Sequence, residues 1–389
     1  MRLKLWPVDW RWLAAAARGV ALNLAQSVTP WWPAMWVSLV PLPEAVLYTD
    51  SLRETTKLAT FASGLARVGA LLPILQEPSL ELAVVTFLAV VPFAVPLIVA
   101  TVLWRFVVAD ARAWYSALAF SLMAASVDLL FGLISSHGTW SSWANSQMNV
   151  LPVLQSAALG GTPLVVFVVT LPAATTAVAI ARRRDVEFSV LAYGLPIALA
   201  ISAIAYGFVR LANVTALPRV PIGLVASDGA DLFPADPGGA SDATLARYLE
   251  GATTLTMRGA ALVMLPEKIE IFEDVATVRV RQRLSAWARD RNSRLVAGFG
   301  IAKGDYRDNI AWLFDRDGDL ITEYAKQHLV PLVEMRFRPG DRDAIVELDG
   351  HRLGIAICKD MGFPRLAARY GRAGVEAMLS PAWDFVSDG

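Results

Sequence analysis

Three residues of unlike chemistry stand at or just beyond the ends of predicted strands. Glu267 follows the apolar run Ala260–Leu265, Lys326 follows Leu320–Tyr324, and Cys358 closes Arg352–Cys358. In α/β sheets the strand ends are where ligand sites gather. A cysteine attacks only as the thiolate and so needs a base or a cation beside it. A glutamate can take the thiol proton, and a lysine ammonium can stabilise both the thiolate and the oxyanion that forms on an attacked carbonyl. Taken together, the trio predicts acyl transfer through a covalent thioester, with neither metal nor histidine. Taken singly, Cys358 reads as a small core hydrophobe, the usual fate of a free cysteine, and Glu267 and Lys326 read as solvated surface charges.

The elements that must hold these residues lie in the C-terminal part of the chain. Residues 213–240 carry Pro218, Pro221, Pro234, Pro237, Gly238 and Gly239, a loop composition, with a first strand at Ile222–Ala226. Beyond it the pattern alternates between strands and amphipathic helices. Ser241 is placed to cap a helix running to Met257, and Glu273–Asn292 sets Ala276, Val280, Leu284 and Trp287 at helical spacing. Strands are predicted at Arg294–Ile301, Asn309–Phe314 and Leu320–Tyr324, then at Ala344–Leu348 and, across an Asp349–Gly350 turn, Arg352–Cys358. A helix at Pro364–Gly371 and a strand at Val375–Ser380 complete a layered α/β domain.

What precedes residue 213 is of another kind. The 389 residues are 55% hydrophobic and only 18% charged, against roughly 25% charge in a soluble domain. Apolar stretches at Leu80–Trp104, Ala113–Ser135, Leu159–Ala181 and Ser189–Leu211 each reach the ~20 residues that cross a bilayer, and Leu13–Val28, Trp32–Tyr48 and Ala59–Gln76 are weaker candidates. Lys and Arg recur in alternate connections: Arg2, Lys4 and Arg11; Arg53 and Lys57; Arg105 and Arg112; Arg182, Arg183 and Arg184. Positive charge in short loops marks the cytoplasmic side, so seven spans put residue 213 and everything after it outside. Lys+Arg and Asp+Glu both number 35, giving no net field for nucleic acid. One cysteine makes no internal disulfide, and three histidines leave little for a metal centre; no metal and no cofactor are expected. Asp128, Arg18 and Arg67 are the main ionisable residues in the spans, too few to read as a transporter's ion path.

The order Glu…Lys…Cys becomes specific in its contexts: Leu265-Pro266-Glu267, Tyr324-Ala325-Lys326-Gln327-His328-Leu329-Val330-Pro331, and Gly354-Ile355-Ala356-Ile357-Cys358. These resemble the nitrilase, or carbon–nitrogen hydrolase, superfamily, whose α-β-β-α sandwich carries such a triad. With membrane helices in front, the chain is similar to one branch, the apolipoprotein N-acyltransferases. Ser142-Trp143-Ala144-Asn145-Ser146-Gln147 and Leu154-Gln155-Ser156-Ala157-Ala158-Leu159-Gly160-Gly161 resemble that branch's membrane part. The resemblance implies Glu267 as general base, Lys326 as oxyanion stabiliser and Cys358 as nucleophile. It implies Glu334 as a second, supporting glutamate, and Asp360 and Trp383 as further residues of the site. The chain departs from the family where Leu332-Val333-Glu334-Met335 replaces Phe-Gly-Glu-Tyr, where Lys359-Asp360 replaces Tyr-Glu, and where Ser380-Pro381-Ala382-Trp383 stands near Asn-Asp-Ala-Trp.

The expected organisation is a membrane domain of about seven helices over 1–212, a linker at 213–221, and a nitrilase-like catalytic domain over 222–389. Because the family continues past the equivalent of Gly389, that sandwich is expected to be incomplete at its C-terminus. The expected activity moves a fatty acyl chain from a membrane phospholipid to the N-terminal amine of a lipid-modified lipoprotein. The setting is a bacterial inner membrane, with the catalytic domain facing the periplasm. The alternatives are a membrane-tethered amidase or nitrilase and an inactive truncated paralogue.

Overall fold

The computed structural model describes residues 9–27, 30–38, 40, 45–76, 94–108, 114–181, 190–214, 220–226 and 242–382. The chain divides into two compact units, Met1–Leu217 and Pro218–Gly389.

The first unit is helical. Its principal helices are Trp10–Ala25, Leu52–Gln76, Val95–Val107, Ser116–Ile134, Ala157–Ala181 and Leu195–Val214. Asp9 starts the first by accepting a hydrogen bond from the backbone of Arg11, filling one of the orphan donors of a helix N-terminus. Among the described residues, three helices are long and apolar enough to cross a membrane: Ser116–Ile134, Ala157–Ala181 and Leu191–Asn213, the last counted from the π-helical turn ahead of Leu195. The first two pack on each other, and 61% of the most apolar stretch of Ala157–Ala181 is buried against 17% for Leu191–Asn213, so the former is central. Of the expected spans, Trp32–Tyr48 is not one helix: it ends at Ser38 and a short turn of helix follows at 45–47. Most of Leu80–Trp104 lies outside the described residues, its described end belonging to Val95–Val107.

The polar residues of this unit have local roles. Asp128 accepts hydrogen bonds from the Ser142 and Thr162 side chains and the Trp143 backbone. The 3₁₀ turn Trp143–Gln147 is thereby tied to the helix Ser116–Ile134, and Trp36 Nε1 donates to Gln147 Oε1 at 3.0 Å. Arg18 is fully buried, its guanidinium 5.9 Å from the ring centres of both Phe120 and Trp143, a cation–π arrangement.

The second unit is an α-β-β-α sandwich. Strands β1 (Ile222–Leu224), β2 (Leu262–Met264), β4 (Arg294–Lys303), β5 (Tyr306–Phe314) and β6 (Leu320–Ala325) lie side by side in that order, with β3 (Ile271–Glu273) added to β4 and β7 (Phe337–Arg338) to β5. β1, β2 and β4 are parallel; β4, β5 and β6 are antiparallel. A second sheet runs β10 (Ala377–Leu379), β9 (His351–Ile355), β8 (Ala344–Leu348).

The period of two along each strand divides the core. On β4 and β5, Leu295, Ala297, Phe299, Ile310, Trp312 and Phe314 face the helices Asp242–Met257 and Thr277–Arg291. Val296, Ala311 and Leu313 face the other sheet, meeting Val346, Ile355, Ile357 and Leu379. Leu366 and Tyr370 of the helix Pro364–Arg372 close the far side over Ala356. Such alternation is what a strand buried on both faces requires. Phe272, Phe299 and Trp312 pack ring on ring at 5.2–6.3 Å between centroids, stiffening the middle of the first sheet.

Candidate active site

Glu267 sits in a turn laid directly on β4. Leu265 N donates to Val296 O (2.8 Å), Gly298 N to Pro266 O (3.2 Å) and Ile269 N to Gly298 O (3.1 Å). A side chain at 298 is impossible without moving this turn: a Cβ there would stand 2.6 Å from Pro266 O and 2.7 Å from Glu267 Cα. Lys326 follows β6 immediately. Its N–H donates to Asn309 O and its carbonyl accepts from Gly340 N, each at 2.8 Å. Gly340 is again a close approach, since a Cβ would lie 2.3 Å from Ala325 O.

The side chains converge. Lys326 Nζ lies 2.8 Å from Glu267 Oε1 and 2.9 Å from Glu334 Oε2. Lys268 Nζ lies 2.7 Å from Glu334 Oε1 and 3.8 Å from Glu267 Oε1. Asn309 Nδ2 donates to Glu267 Oε1 (2.6 Å) and Glu334 Oε1 (2.9 Å), and Val330 N donates to Glu334 Oε2 (2.7 Å). All five side chains are buried, where unpaired charge is costly and interleaved charge is tolerated. Burial alone would lower the Lys326 pKa, but the carboxylates of Glu267 and Glu334, and then Cys358, hold it above the usual lysine value. Burial would likewise raise Glu334, yet Lys326 and Lys268 override it and hold its carboxyl at about 2. Lys326 is therefore a fixed ammonium and Glu334 a fixed carboxylate.

Cys358 comes from the second sheet, and not from a strand end as the sequence pattern predicts. β9 stops at Ile355; the chain stays extended beside β10, with Ala356 N donating to Leu379 O (3.1 Å) and Cys358 N to Pro381 O (2.9 Å). At Cys358 it turns into a left-handed conformation, φ 47°, and opens the 3₁₀ turn Cys358–Gly362. A non-glycine residue at positive φ is a strained position of the kind that collects at active sites. The half-buried Cys358 lies in the field of both Lys326 and Lys359. Lys359, nearly buried, donates from Nζ to Leu329 O at 3.0 Å.

Asp360 is completely buried and accepts from Tyr324 OH (2.7 Å), His328 N (2.8 Å) and Ile357 N (3.2 Å), with His328 Nδ1 also at 2.8 Å from its carboxylate. Burial, then the Asp360 charge, pushes the Tyr324 phenol far above its usual pKa, so it stays a donor. The His328 ring stacks on Phe363 at 3.6 Å.

Of the residues expected from sequence, Glu267, Lys326 and Glu334 meet directly, Cys358 stands in the Lys326 field, and Asp360 braces the cysteine turn. Trp383 lies outside the described residues. Lys268, Asn309, Tyr324 and His328 belong to the cluster and were not expected there. Asn309 carried a usable signal, a polar amide opening an otherwise apolar strand. Lys268 carried none. The arrangement offers a carboxylate as proton acceptor and a fixed ammonium beside one cysteine, the parts needed for nucleophilic attack on a carbonyl.

Comparison with known proteins bears on both units. Residues 18–175 match the family model of the apolipoprotein N-acyltransferase N-terminal domain, and residues 239–387 that of the carbon-nitrogen hydrolases. The chain is 24% identical to the apolipoprotein N-acyltransferase of Geobacter metallireducens across 95% of this chain and 76% of that one. It is 28% identical to that of Gloeobacter violaceus across 83% of this chain and 63% of that one. Over 28% of the chain it is 36% identical to a hydrolase of Pseudomonas protegens, and there it spans 40% of the relative's length.

Proposed function

We propose that this chain, apolipoprotein N-acyltransferase-like by the two family segments it carries in order, moves a fatty acyl chain from a membrane phospholipid to the N-terminal amine of a diacylglyceryl-cysteine lipoprotein. In this reading Glu267 takes the thiol proton of Cys358, and Sγ forms a bond to the ester carbonyl carbon of the phospholipid. Lys326 stabilises the oxyanion. The ester C–O bond breaks, the lysophospholipid alkoxide leaves with the proton from Glu267, and a thioester remains on Cys358. The amine of the acceptor then attacks, the C–S bond breaks, and Glu267 passes the amine's proton back toward sulfur. Glu334, Lys268 and Asn309 keep Glu267 and Lys326 in register. Water has to be excluded, or the thioester hydrolyses instead of transferring.

The observation that carries the proposal is the buried Lys326–Glu267 pair in the field of the chain's single cysteine. An apolar helical unit on the same chain suits substrates that both carry acyl chains. The proposal sets this chain in the inner membrane of a bacterium, multi-pass with about seven helices, with residues 222–389 as the catalytic domain outside the cytoplasm.

The test supplies phospholipid with a labelled acyl chain to the full chain in nanodiscs and follows mass and label. Wild type is expected to gain one acyl group at Cys358 and pass it to a diacylated N-terminal cysteine peptide, and Cys358→Ala to gain none. Acylation of the alanine variant, or release of label only as free fatty acid, would overturn the proposal.

A further inference from the structure

Among the described residues, the cluster around Cys358 holds one lysine that the proposed mechanism does not use. Lys268, Lys326 and Lys359 stand against Glu267, Glu334 and Asp360, three positive groups to three negative, so the set is neutral while Cys358 is a thiol. Lys326 and Lys268 are engaged with the two glutamates at 2.7–2.9 Å. Asp360 is engaged with Tyr324, His328 and the Ile357 backbone. Lys359 is the neighbour of Cys358 in the chain and donates to a main-chain carbonyl, Leu329 O, not to a carboxylate.

We propose that Lys359 is a positioning residue for the Cys358 thiolate: anchored on Leu329 O, its ammonium supplies the positive charge against which the sulfur ionises. This rests on the reading of Cys358 as the nucleophile. The charged groups that face Lys359 are Lys326 on the β6 side, Glu334 from the loop ahead of β7, and Cys358 and Asp360 on its own turn. Without Lys359 the set carries a net negative charge before the thiol loses its proton. Ionisation then adds a second negative charge, and a like charge close by disfavours the thiolate. Burial, reinforced by Lys326, lowers the Lys359 ammonium to about 8, so the group is still charged at neutral pH. Lys326 is held above the usual lysine value, so Lys359 discharges before it as pH rises.

The single cysteine makes the test direct. The rate of iodoacetamide alkylation is measured against pH for the full chain in nanodiscs, for wild type, Lys359→Gln and Lys359→Arg. Glutamine keeps an N–H for Leu329 O but has no charge; arginine keeps the charge. The Gln variant is expected to move the inflection up by about one unit, roughly tenfold less thiolate below it. The Arg variant is expected to stay near wild type. An unshifted Gln variant, or an Arg variant shifted as far as Gln, would mean that Lys359 acts only as a brace and would overturn the proposal. Alkylation needs no acyl donor. A shifted inflection in a chain that forms no acyl-enzyme would therefore uphold Lys359 while sinking the transferase reading.

Discussion

Removing the Lys326 ammonium should expose how the buried cluster is held together. Lys326→Met deletes contacts of 2.8 Å to Glu267 and 2.9 Å to Glu334, both carboxylates being 2% exposed. Taking one partner from a buried ion pair costs about 3–5 kcal/mol. Here Glu334 keeps Lys268 at 2.7 Å, and Glu267 keeps the Asn309 amide at 2.6 Å, so the lower end, about 3 kcal/mol, is expected. That is a large part of the ~5–15 kcal/mol a domain holds. The loss should depend on pH. In the wild type the Glu334 carboxyl is depressed from 4.5 to about 2, so its contribution is fully present above about 4.5 and lost as pH falls through about 2. With only Lys268 left to oppose burial, the carboxyl moves back up and that contribution shrinks. The deficit of the variant should therefore be full at pH 7 and smaller at pH 3. Pulse proteolysis in urea, on the full chain in nanodiscs, reads the equilibrium at both pH values. A second change, Glu267→Gln, should recover about 1 kcal/mol or more by removing an uncompensated charge. A deficit equal at the two pH values, or no recovery in the double variant, would refute the reasoning.

Two further outcomes follow from features already described. Gly298→Ala puts a methyl 2.6 Å from Pro266 O; the turn bearing Glu267 has to move, costing about 1–3 kcal/mol and slowing acylation of Cys358, with unaltered stability and rate as the disproof. In a Cys358→Ala background, single cysteines at Arg53 and Ser141 should label from the cytoplasmic and the outer side respectively, as the charge bias of the short loops requires; the reverse pattern would remove residues 222–389 from the side where lipoproteins are acylated.

The long elements of the second unit were legible because an apolar run of strand length, or apolar residues at a spacing of 3.6, marks each of them. Residues 294–303 and 306–314 bury nearly every position, and the helix Thr277–Arg291 buries Val280, Leu284 and Trp287 at the predicted spacing. β3 and β7 were not legible. At three and two residues they are too short to show a period, and they exist only because β4 and β5 offer them a partner. The break after Ile355 was hidden for a related reason. Gly354–Cys358 reads as one apolar run, and the backbone does stay extended to Ile357; only the left-handed turn at Cys358, a tertiary demand, ends it. Glu267 and Lys326 could be found as charged residues just beyond apolar strands, and Glu334 only through the resemblance to the family. Lys268 could not, because a lysine beside a glutamate has the look of a solvated pair until the fold buries both.

Asp360 has a mechanical consequence. Lys326 rides on the first sheet and Cys358 on the second, and between them the sandwich is joined mainly by aliphatic contact, which is non-directional and tolerates sliding. Hydrogen bonds do not tolerate it, since they weaken steeply with angle and distance. By receiving Tyr324 and His328 from the chain leaving one sheet and Ile357 from the chain leaving the other, one carboxylate works as a dowel between two plates. It fixes how far the sulfur can travel relative to the ammonium, and does so without itself standing among the reacting groups.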